Sequence, residues 1–161
     1  MSTPVTGDYF EKARAVAATI LFVCAATAIL GSFLDWVTVE PPVVIPADQA
    51  PRAVAFNGLD AGDGVIVIGA GIVVIIGAVL LVLRARSSFA WLAFFASMVI
   101  GGIAIADFRG LDALFYDEMN RIGDPSPGIG LILVAAGGLI GLVAAVAGVA
   151  ATPARPLEDE S

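Results

Sequence analysis

Four long apolar runs without a charged side chain constrain the fold of this chain more than any other feature. They cover residues 15–34, 64–83, 89–106 and 128–151. An α-helix rises about 1.5 Å per residue, so a run of roughly 20 residues spans the ~30 Å hydrocarbon core of a bilayer. The sequence therefore predicts an all-α membrane protein in which residues 1–151 form a single bundle of four transmembrane helices.

The composition agrees with a chain that lies mostly in lipid. Charged residues make up 14% of it, apolar residues 59%, and the mean hydropathy is +0.97. Soluble domains carry about 25% charged residues. A soluble chain of 161 residues could not hide this much apolar surface from water. No polar segment is long enough to form a second domain.

One stretch offers a soluble alternative. Residues 65–74, VIVIGAGIVV, begin like a dinucleotide-binding βα unit. That fingerprint requires a third glycine where this chain has Val74, and an acid about 20 positions further on, whereas the next acid is Asp107. The apolar run also continues through the glycines to Leu83. We therefore predict a membrane span here and no nucleotide cofactor.

The first apolar run could also belong to a cleaved signal peptide. Such peptides have an apolar core of about 7–15 residues after a basic segment. The run at 15–34 is longer, and the segment before it is not strongly basic. We therefore expect it to be an uncleaved span.

Basic residues flank one end of the predicted spans. Lys12 and Arg14 precede the first span, and the short link 84–88 carries Arg84 and Arg86 with no acid. Lys and Arg close to span ends are retained in the cytoplasm. The pattern predicts a multi-pass protein of a bacterial plasma membrane, with this link and both termini in the cytoplasm.

The two longer connections are acidic. Residues 35–63 contain five acids and one Arg, and residues 107–127 contain five acids and two Arg. We predict that they form a small extracytoplasmic cap, whose charge excludes nucleic acid as a partner and suits cations or a basic protein surface. Membrane insertion alone could also explain the charge, because acidic loops cross the bilayer more readily than basic ones. The acidic tail 152–161 is predicted to be disordered in the cytoplasm.

Small residues on the spans predict how the helices pack. Within lipid the hydrophobic effect does not drive helices together, so association depends on close approach of their backbones. Small residues four or seven positions apart mark such faces. The predicted packing residues are Gly137, Gly141, Ala145, Gly148, Ser97, Gly101, Gly71, Gly77 and Gly31. We expect these faces to join helices of one chain, since short links make neighbouring helices adjacent; contact between chains is the alternative.

The first outer connection contains strand-like segments. Residues 35–44, DWVTVEPPVV, alternate β-branched and polar residues before two prolines. This pattern predicts extended segments and a short β-hairpin on the outer surface. Trp36 lies where an interfacial aromatic anchor is expected.

Asp60 and Asp63 directly precede the second span. Carboxylates at a helix start accept hydrogen bonds from free backbone N–H groups and face the positive end of the helix dipole. A calcium site is the alternative for DAGDG at 60–64, but the calcium-loop pattern requires further alternating acids and a distant glutamate. We therefore predict capping and no metal.

The second outer connection contains an amphipathic segment. Apolar residues in LDALFYDEMNRI, 111–122, recur at helical spacing, whereas the acids lie on the other side. The pattern predicts a short helix along the membrane interface, with a partner-docking helix as the alternative. The following GDPSPG, residues 123–128, is predicted as a break before the last span.

The spans contain no Asp, Glu, Lys, Arg or His. Proteins keep an ionisable group in the membrane interior where transport or proton relay requires it. Polar side chains that could support a function cluster only at the outer rim: Asp35, Trp36, Asp60, Asp63, Asp107 and Arg109. A carboxylate pair could form there, but no nucleophile stands beside a base. We predict that the protein is not an enzyme and binds no cofactor.

A family resemblance rests on several short segments. GSFLDWVTV at 31–39, FNGLDAGDGVIVI at 56–68 and PSPGIG at 125–130 resemble small four-span membrane proteins of actinobacteria, and seven Arg against one Lys fits a high-GC genome. The resemblance implies topology and no catalytic residue. A four-span family found beside tryptophan-biosynthesis genes is a second possibility, and the residues do not distinguish the two.

Three functions follow as hypotheses. The first is an accessory or scaffold component of a larger envelope complex, with membrane lipid and other membrane proteins, or a second copy, as partners. The second is a small channel or transporter whose pathway forms on oligomerisation, which the apolar spans disfavour. The third is an outer-face sensor or enzyme that uses the acidic rim.

Overall fold

Four long helices and a small sheet make up the described part of the chain. The structure, a computed structural model, describes residues 5–40, 54–111 and 124–152. The elements in chain order are α1 (Val5–Ser32), β1 (Asp35–Glu40), β2 (Val54–Asn57), α2 (Gly58–Ala61), α3 (Asp63–Arg84), α4 (Ser87–Arg109), β3 (Asp124–Pro127) and α5 (Ile129–Ala150). Helices α1, α3, α4 and α5 are each long and apolar enough to cross a membrane, so each of the four predicted spans is a helix of spanning length.

The long helices form a closed ring. Helix α1 packs against α3, α3 against α4, α4 against α5, and α5 against α1. Helices α1 and α4 lie diagonally across the ring and have few contacts. Helices α1 and α5 are antiparallel, because Gly31 near the end of α1 contacts Gly130 near the start of α5, and Gly148 near the end of α5 approaches Ala17. The bundle therefore has two distinct ends. We call the end with the sheet the cap end, and the end with the α3–α4 link the basic end.

Helix α1 begins ten residues before the predicted apolar run. Its first turns carry a salt bridge between Lys12 Nζ and Asp8 Oδ2, 2.9 Å apart and four residues apart in sequence. Pairs at this spacing support exposed helices, and an acid in the first turn faces the positive end of the dipole. These local interactions extend α1 beyond the part that hydropathy alone predicts.

The three strands form one antiparallel sheet in the order β2-β1-β3. Strand β1 pairs with β2, with Val37 opposite Phe56. The first part of the stretch predicted to be extended, 35–40, is therefore a strand, whereas 41–44 lies outside the described residues, and β2 was not among the predicted strands. Strand β3 also pairs with β1, placing Val37 opposite Pro127. The sequence predicted only a break at residues 123–128, and this prediction was incomplete, because residues 124–127 form strand β3. The two prolines of β3 are tolerated because β3 is an edge strand, where not every backbone N–H must pair. The Ser126 hydroxyl donates to the Thr38 carbonyl at 3.0 Å.

Two further predictions fall almost entirely on residues outside the described part. Apart from Leu111, the amphipathic helix at 111–122 belongs to the undescribed segment 112–123, and apart from Thr152 the acidic tail at 152–161 belongs to 153–161.

Close backbone contacts join α5 to α1 along one face. A Cβ atom on Gly137 would lie 2.7 Å from the carbonyl oxygen of Cys24, and one on Gly130 would lie 2.5 Å from the carbonyl oxygen of Gly31. Contacts below 3.0 Å leave no room for a side chain. Glycine at these positions therefore sets the distance between the two helices.

A second face of α5 contacts α4. A Cβ on Gly138 would lie 2.5 Å from the amide nitrogen of Gly101, and one on Gly141 would lie 2.8 Å from Ser97 Oγ. Gly138 was not among the predicted packing residues, although it has the closest backbone contact on this face. Since successive residues of a helix point about 100° apart, Gly137 and Gly138 face two different neighbours.

The remaining predicted packing residues also lie between helices. Gly148 approaches Leu81 of α3 and Ala90 of α4, and Ala145 is fully buried. On α3, a Cβ on Gly71 would lie 2.7 Å from the Ile29 side chain of α1, and one on Gly77 would lie 3.0 Å from the Phe89 carbonyl of α4. Helices α3 and α5 thus each use small residues toward two neighbours.

Candidate functional site

The cap end contains all six rim residues that the sequence singled out. Of these, Asp35, Asp60 and Arg109 are exposed, Asp63 is half-buried, and Trp36 and Asp107 are buried. The rim is therefore not a uniform acidic surface, and its members differ in what they contact.

Trp36 is fully buried, so the prediction that it anchors the protein at the lipid interface is wrong. Its indole N–H donates to the Gly31 carbonyl at 2.9 Å, and its ring packs directly on the backbone of Gly58. The register of β1 against β2 shifts between Asp35 and Val37. This irregularity turns Trp36 toward the bundle, as bulges commonly redirect a side chain.

An exposed tryptophan lies at the opposite end of the bundle. Trp91, the fifth residue of α4, is 46% exposed and packs edge-on against Phe94, with ring centroids 5.4 Å apart. Phe95 lies 6.1 Å from the same ring. This aromatic group, near the basic end, occupies the kind of position in which interfacial aromatic residues are enriched.

Asp60 and Asp63 were predicted to cap the second span, but the N-cap of α3 is Gly62, which makes no side-chain capping bond. Asp60 belongs instead to the N-terminal cap of the short helix α2. The Asn57 side chain accepts hydrogen bonds from the backbone N–H groups of Leu59 and Asp60, and the Asp60 carboxylate accepts one from the Asn57 N–H at 3.1 Å. This reciprocal capping box fixes the path of the chain from β2 into α3. Asp63 is the first residue of α3.

Across residues 5–40, 54–111 and 124–152, no group of three or more His, Cys, Asp or Glu side chains could hold a metal ion.

Asp107 is the unusual residue of the rim. It lies in the last turn of α4 and is only 5% exposed. Its Oδ2 atom has no hydrogen-bond partner within the described ranges. The carboxylate of Asp63, at the start of α3, lies beside it and carries the same charge. The sequence placed both acids at the rim, but it did not predict that they lie together or that one is buried.

A signal for this burial is present in the sequence of α4. The buried residues Ala93, Ser97, Ile100 and Ala104 recur at alternating spacings of three and four. Asp107 continues the same series, so it belongs to the face of the helix that packs into the bundle.

Two neighbouring carboxylates, one of them buried, can share a proton or bind a small cation. Burial removes water from a charge, and a like charge beside it adds repulsion, so the uncompensated pair destabilises the fold. The chain contains no His, so an imidazole does not serve as a base beside this pair.

Asp107→Asn should therefore stabilise the protein by about 1–3 kcal/mol, because the amide keeps the shape of the carboxyl group and removes its charge. The measurement is the melting temperature in mild detergent at neutral pH. Asp35→Asn, at an exposed rim acid, is the matched control and should change stability by less than about 0.5 kcal/mol. A lower melting temperature for Asp107→Asn would mean that the charged form makes a favourable interaction.

Two hydroxyl groups within the spanning helices donate to their own backbone. The hydroxyl of Ser32 donates to the Ala28 carbonyl at 3.1 Å, and that of Thr19 donates to the Ala15 carbonyl at 2.9 Å. Cys24 is buried and free. Such hydroxyls need no external partner.

No protein-family model matches this sequence, and no curated protein is significantly similar to it. The resemblance to four-span actinobacterial membrane proteins stays a prediction. The function is therefore inferred from the geometry of the bundle, the cap and the rim.

Proposed function

We propose that this chain is a non-enzymatic accessory or scaffold component of a larger complex in a bacterial, and specifically an actinobacterial, plasma membrane. The close packing of the bundle interior carries the proposal. Backbone contacts such as Gly138 with Gly101 and Gly137 with Cys24 join the helices directly. Proteins that move ions or substrates through a bundle commonly need ionisable groups along it, and the apolar runs 15–34, 64–83, 89–106 and 128–151 contain no Asp, Glu, Lys, Arg or His. Partners would therefore bind the lipid-facing surface of the bundle or the exposed surface of the cap.

The charge distribution supports an orientation with both termini in the cytoplasm. Lys12, Arg14, Arg84 and Arg86 all belong to the basic end, whereas the rim acids belong to the cap end. Basic residues at span ends stay on the cytoplasmic side during insertion. In this orientation the sheet projects outside the cell.

The cap supports the proposal by its attachment to the bundle. Trp36 bonds to the end of α1, and the Gly128 N–H at the entry to α5 donates to the Trp36 carbonyl at 2.7 Å. Val37 and Val39 of β1 are fully buried. The sheet is therefore attached to both α1 and α5, and these contacts fix its position on the bundle.

Site-specific photo-crosslinking in cells tests the proposal. A photoreactive residue replaces Leu59 on the cap, 37% exposed, or Val143 on α5, 71% exposed, and adducts are identified by mass spectrometry. We expect one foreign protein in an adduct of defined mass from at least one position. Fully buried Leu131 is the control and should give no intermolecular adduct. Adducts of the chain with itself alone, together with ion flux from the purified oligomer in liposomes, would favour a channel instead.

The Asp63–Asp107 pair favours a second candidate, an outer-face sensor of cations. The Asp107 Oδ2 atom is buried with no hydrogen-bond partner in the part of the chain that the structure describes, and Asp63 beside it adds a like charge, which supports a ligand that compensates the charge. Calcium added to the purified protein should raise the melting temperature of the wild type and not that of Asp107→Asn. Equal responses of the two proteins would exclude this candidate.

A further inference from the structure

Two acids from different helices meet at the cap end of the bundle. Asp107, in the last turn of α4, is 5% exposed, and the carboxylate of Asp63, at the start of α3, lies beside it. The Oδ2 atom of Asp107 has no hydrogen-bond partner in the part of the chain that the structure describes. A buried polar group of this kind requires an occupant that compensates its charge or removes it.

No cation in the described ranges neutralises the two acids. Arg109, two residues after Asp107, is exposed, and the single salt bridge within residues 5–40, 54–111 and 124–152 lies at the basic end. The two other rim acids, Asp35 and Asp60, are also exposed and add only negative charge. The compensation must therefore come from something that binds between the carboxyl groups.

The helices packed against α4 bring one charged side chain to Asp107. Helices α3 and α5 are its main neighbours, and α1 has few contacts with it. Helix α5 has no titratable side chain, and the second charged residue of α3, Arg84, lies at the basic end. The charged residues of α1 all precede residue 15, also at the basic end. Among these helices, Asp63 alone determines the charge next to Asp107.

A proton needs no ligands beyond the pair itself. A calcium ion takes about 6–8 oxygen ligands, so a metal would need oxygen atoms in addition to these two carboxylates. A carboxylate oxygen only accepts hydrogen bonds, and none reaches Oδ2 of Asp107 from the described residues. A protonated Asp107 donates instead, and the Asp63 carboxylate beside it is an acceptor.

The helix dipoles assign the proton to Asp107. Asp63 is the first residue of α3, where the positive end of the dipole favours a carboxylate. Asp107 lies in the last turn of α4, where the negative end of the dipole disfavours one, and burial acts in the same direction. Asp107 is therefore the donor and ionised Asp63 the acceptor.

We propose that Asp63 and Asp107 bind one proton between them, and that the resulting hydrogen bond holds the end of α4 against the start of α3. Loss of the proton leaves two like charges side by side, which pushes the two helix ends apart. At the basic end the short link joins the same helices covalently. The pair is thus a pH-sensitive latch at the cap end. The proton site does not depend on the scaffold role or on metal binding; only its exposure to the pH outside the cell rests on the proposed orientation.

The first test follows the melting temperature of the purified protein in mild detergent from about pH 8 to about pH 5, with a chelator to remove divalent metals. The native protein holds a proton that the unfolded chain releases in this range, so stability should rise as the pH falls. We expect the wild type to gain about 3–6 °C more than Asp107→Asn. The asparagine amide resembles the protonated carboxyl group, so the two proteins should differ most at the alkaline end and converge at the acidic end.

Two further variants locate the proton, each compared with its own melting temperature at about pH 8. Asp63→Asn removes the like charge and should reduce the gain on acidification. Asp35→Asn removes an exposed rim acid and should keep the full wild-type gain. Parallel curves for the wild type and Asp107→Asn, or an undiminished gain in Asp63→Asn, would overturn the proposal.

Infrared difference spectroscopy detects the proton without relying on stability. A protonated carboxyl group has a C=O stretching band that a carboxylate lacks. The band that appears between about pH 8 and about pH 5 should be smaller in Asp107→Asn than in the wild type and nearly unchanged in Asp35→Asn. Equal bands in the wild type and Asp107→Asn would contradict the proton site. The calcium response is measured separately, without chelator, so failure of one experiment does not decide the other.

Discussion

Gly138→Ala should lower the melting temperature of the protein in detergent, although alanine is a better helix former than glycine. The added Cβ would lie 2.5 Å from the Gly101 amide nitrogen and 2.8 Å from its Cα. Both are backbone atoms, so only a separation of α4 from α5 can make room. Overpacking of this kind costs about 1–3 kcal/mol, and each kcal/mol lowers the melting temperature by about 2–4 °C for a chain of this size. Gly138→Leu, with a larger side chain, should prevent the bundle from closing.

Gly102→Ala is the matched control. It lies next to Gly101 on the same helix, but a Cβ there would have no neighbour within 4 Å. Replacing glycine by alanine in a helix is otherwise favourable by roughly 0.5–1 kcal/mol. Gly102→Ala should therefore keep or raise the melting temperature. If both variants behave alike, close packing of α5 against α4 does not hold the bundle together.

Trp36→Ala should destabilise the protein by about 3–5 kcal/mol, the usual loss when a large buried aromatic side chain is removed. Trp36 has no exposed surface, lies against Gly58 and bonds to the end of α1. Its removal leaves a cavity between the sheet and the helices. We expect a lower melting temperature and faster proteolysis within the cap, while the helical circular dichroism signal of the spans persists.

Two further variants separate the contributions of Trp36. Trp36→Phe keeps an aromatic ring but loses the indole donor, so it should cost only about 1 kcal/mol from the missing hydrogen bond, in addition to a small packing loss. Trp91→Ala removes the same residue type at a site that is 46% exposed, and should cost clearly less than Trp36→Ala. Equal losses at the two tryptophans would contradict the role of Trp36 in attaching the cap.

The four spans could be predicted from the sequence because length and hydropathy are local properties. The packing faces could be predicted only in part. Spacing by four residues marked Gly137 and Gly141 as one stripe, but Gly137 contacts α1 whereas Gly141 contacts Ser97 of α4. A helix in a ring of four has two neighbours, so α5 needs two faces, and the second one includes Gly138. Which neighbours a helix has depends on the tertiary arrangement.

The cap was harder to predict because its contacts join distant parts of the chain. Strand β3 exists through its pairing with β1, about 90 residues earlier in the chain, and its own DPSP sequence has little strand character. Trp36 turns inward because of an irregularity in strand pairing, which composition does not reveal. Asp63 and Asp107 meet because α3 and α4 are adjacent at the cap end.

The two ends of the bundle carry different groups. The cap end carries the sheet and the Asp63–Asp107 pair, whereas Lys12, Arg14, Arg84 and Arg86 belong to the basic end. The proposed orientation assigns the cap end to the outside of the cell and the basic end to the cytoplasm.

Cysteine accessibility in intact cells tests the membrane topology most directly. In a Cys24→Ala background, single cysteines replace Ala55 on β2, Ser88 at the start of α4 and Ile140 on α5, and are exposed to a membrane-impermeant maleimide. We predict labelling of position 55 in intact cells, of position 88 only after permeabilisation, and of position 140 in neither case. Reaction at position 140, or identical labelling of positions 55 and 88, would show that the apolar helices do not cross the bilayer in this way.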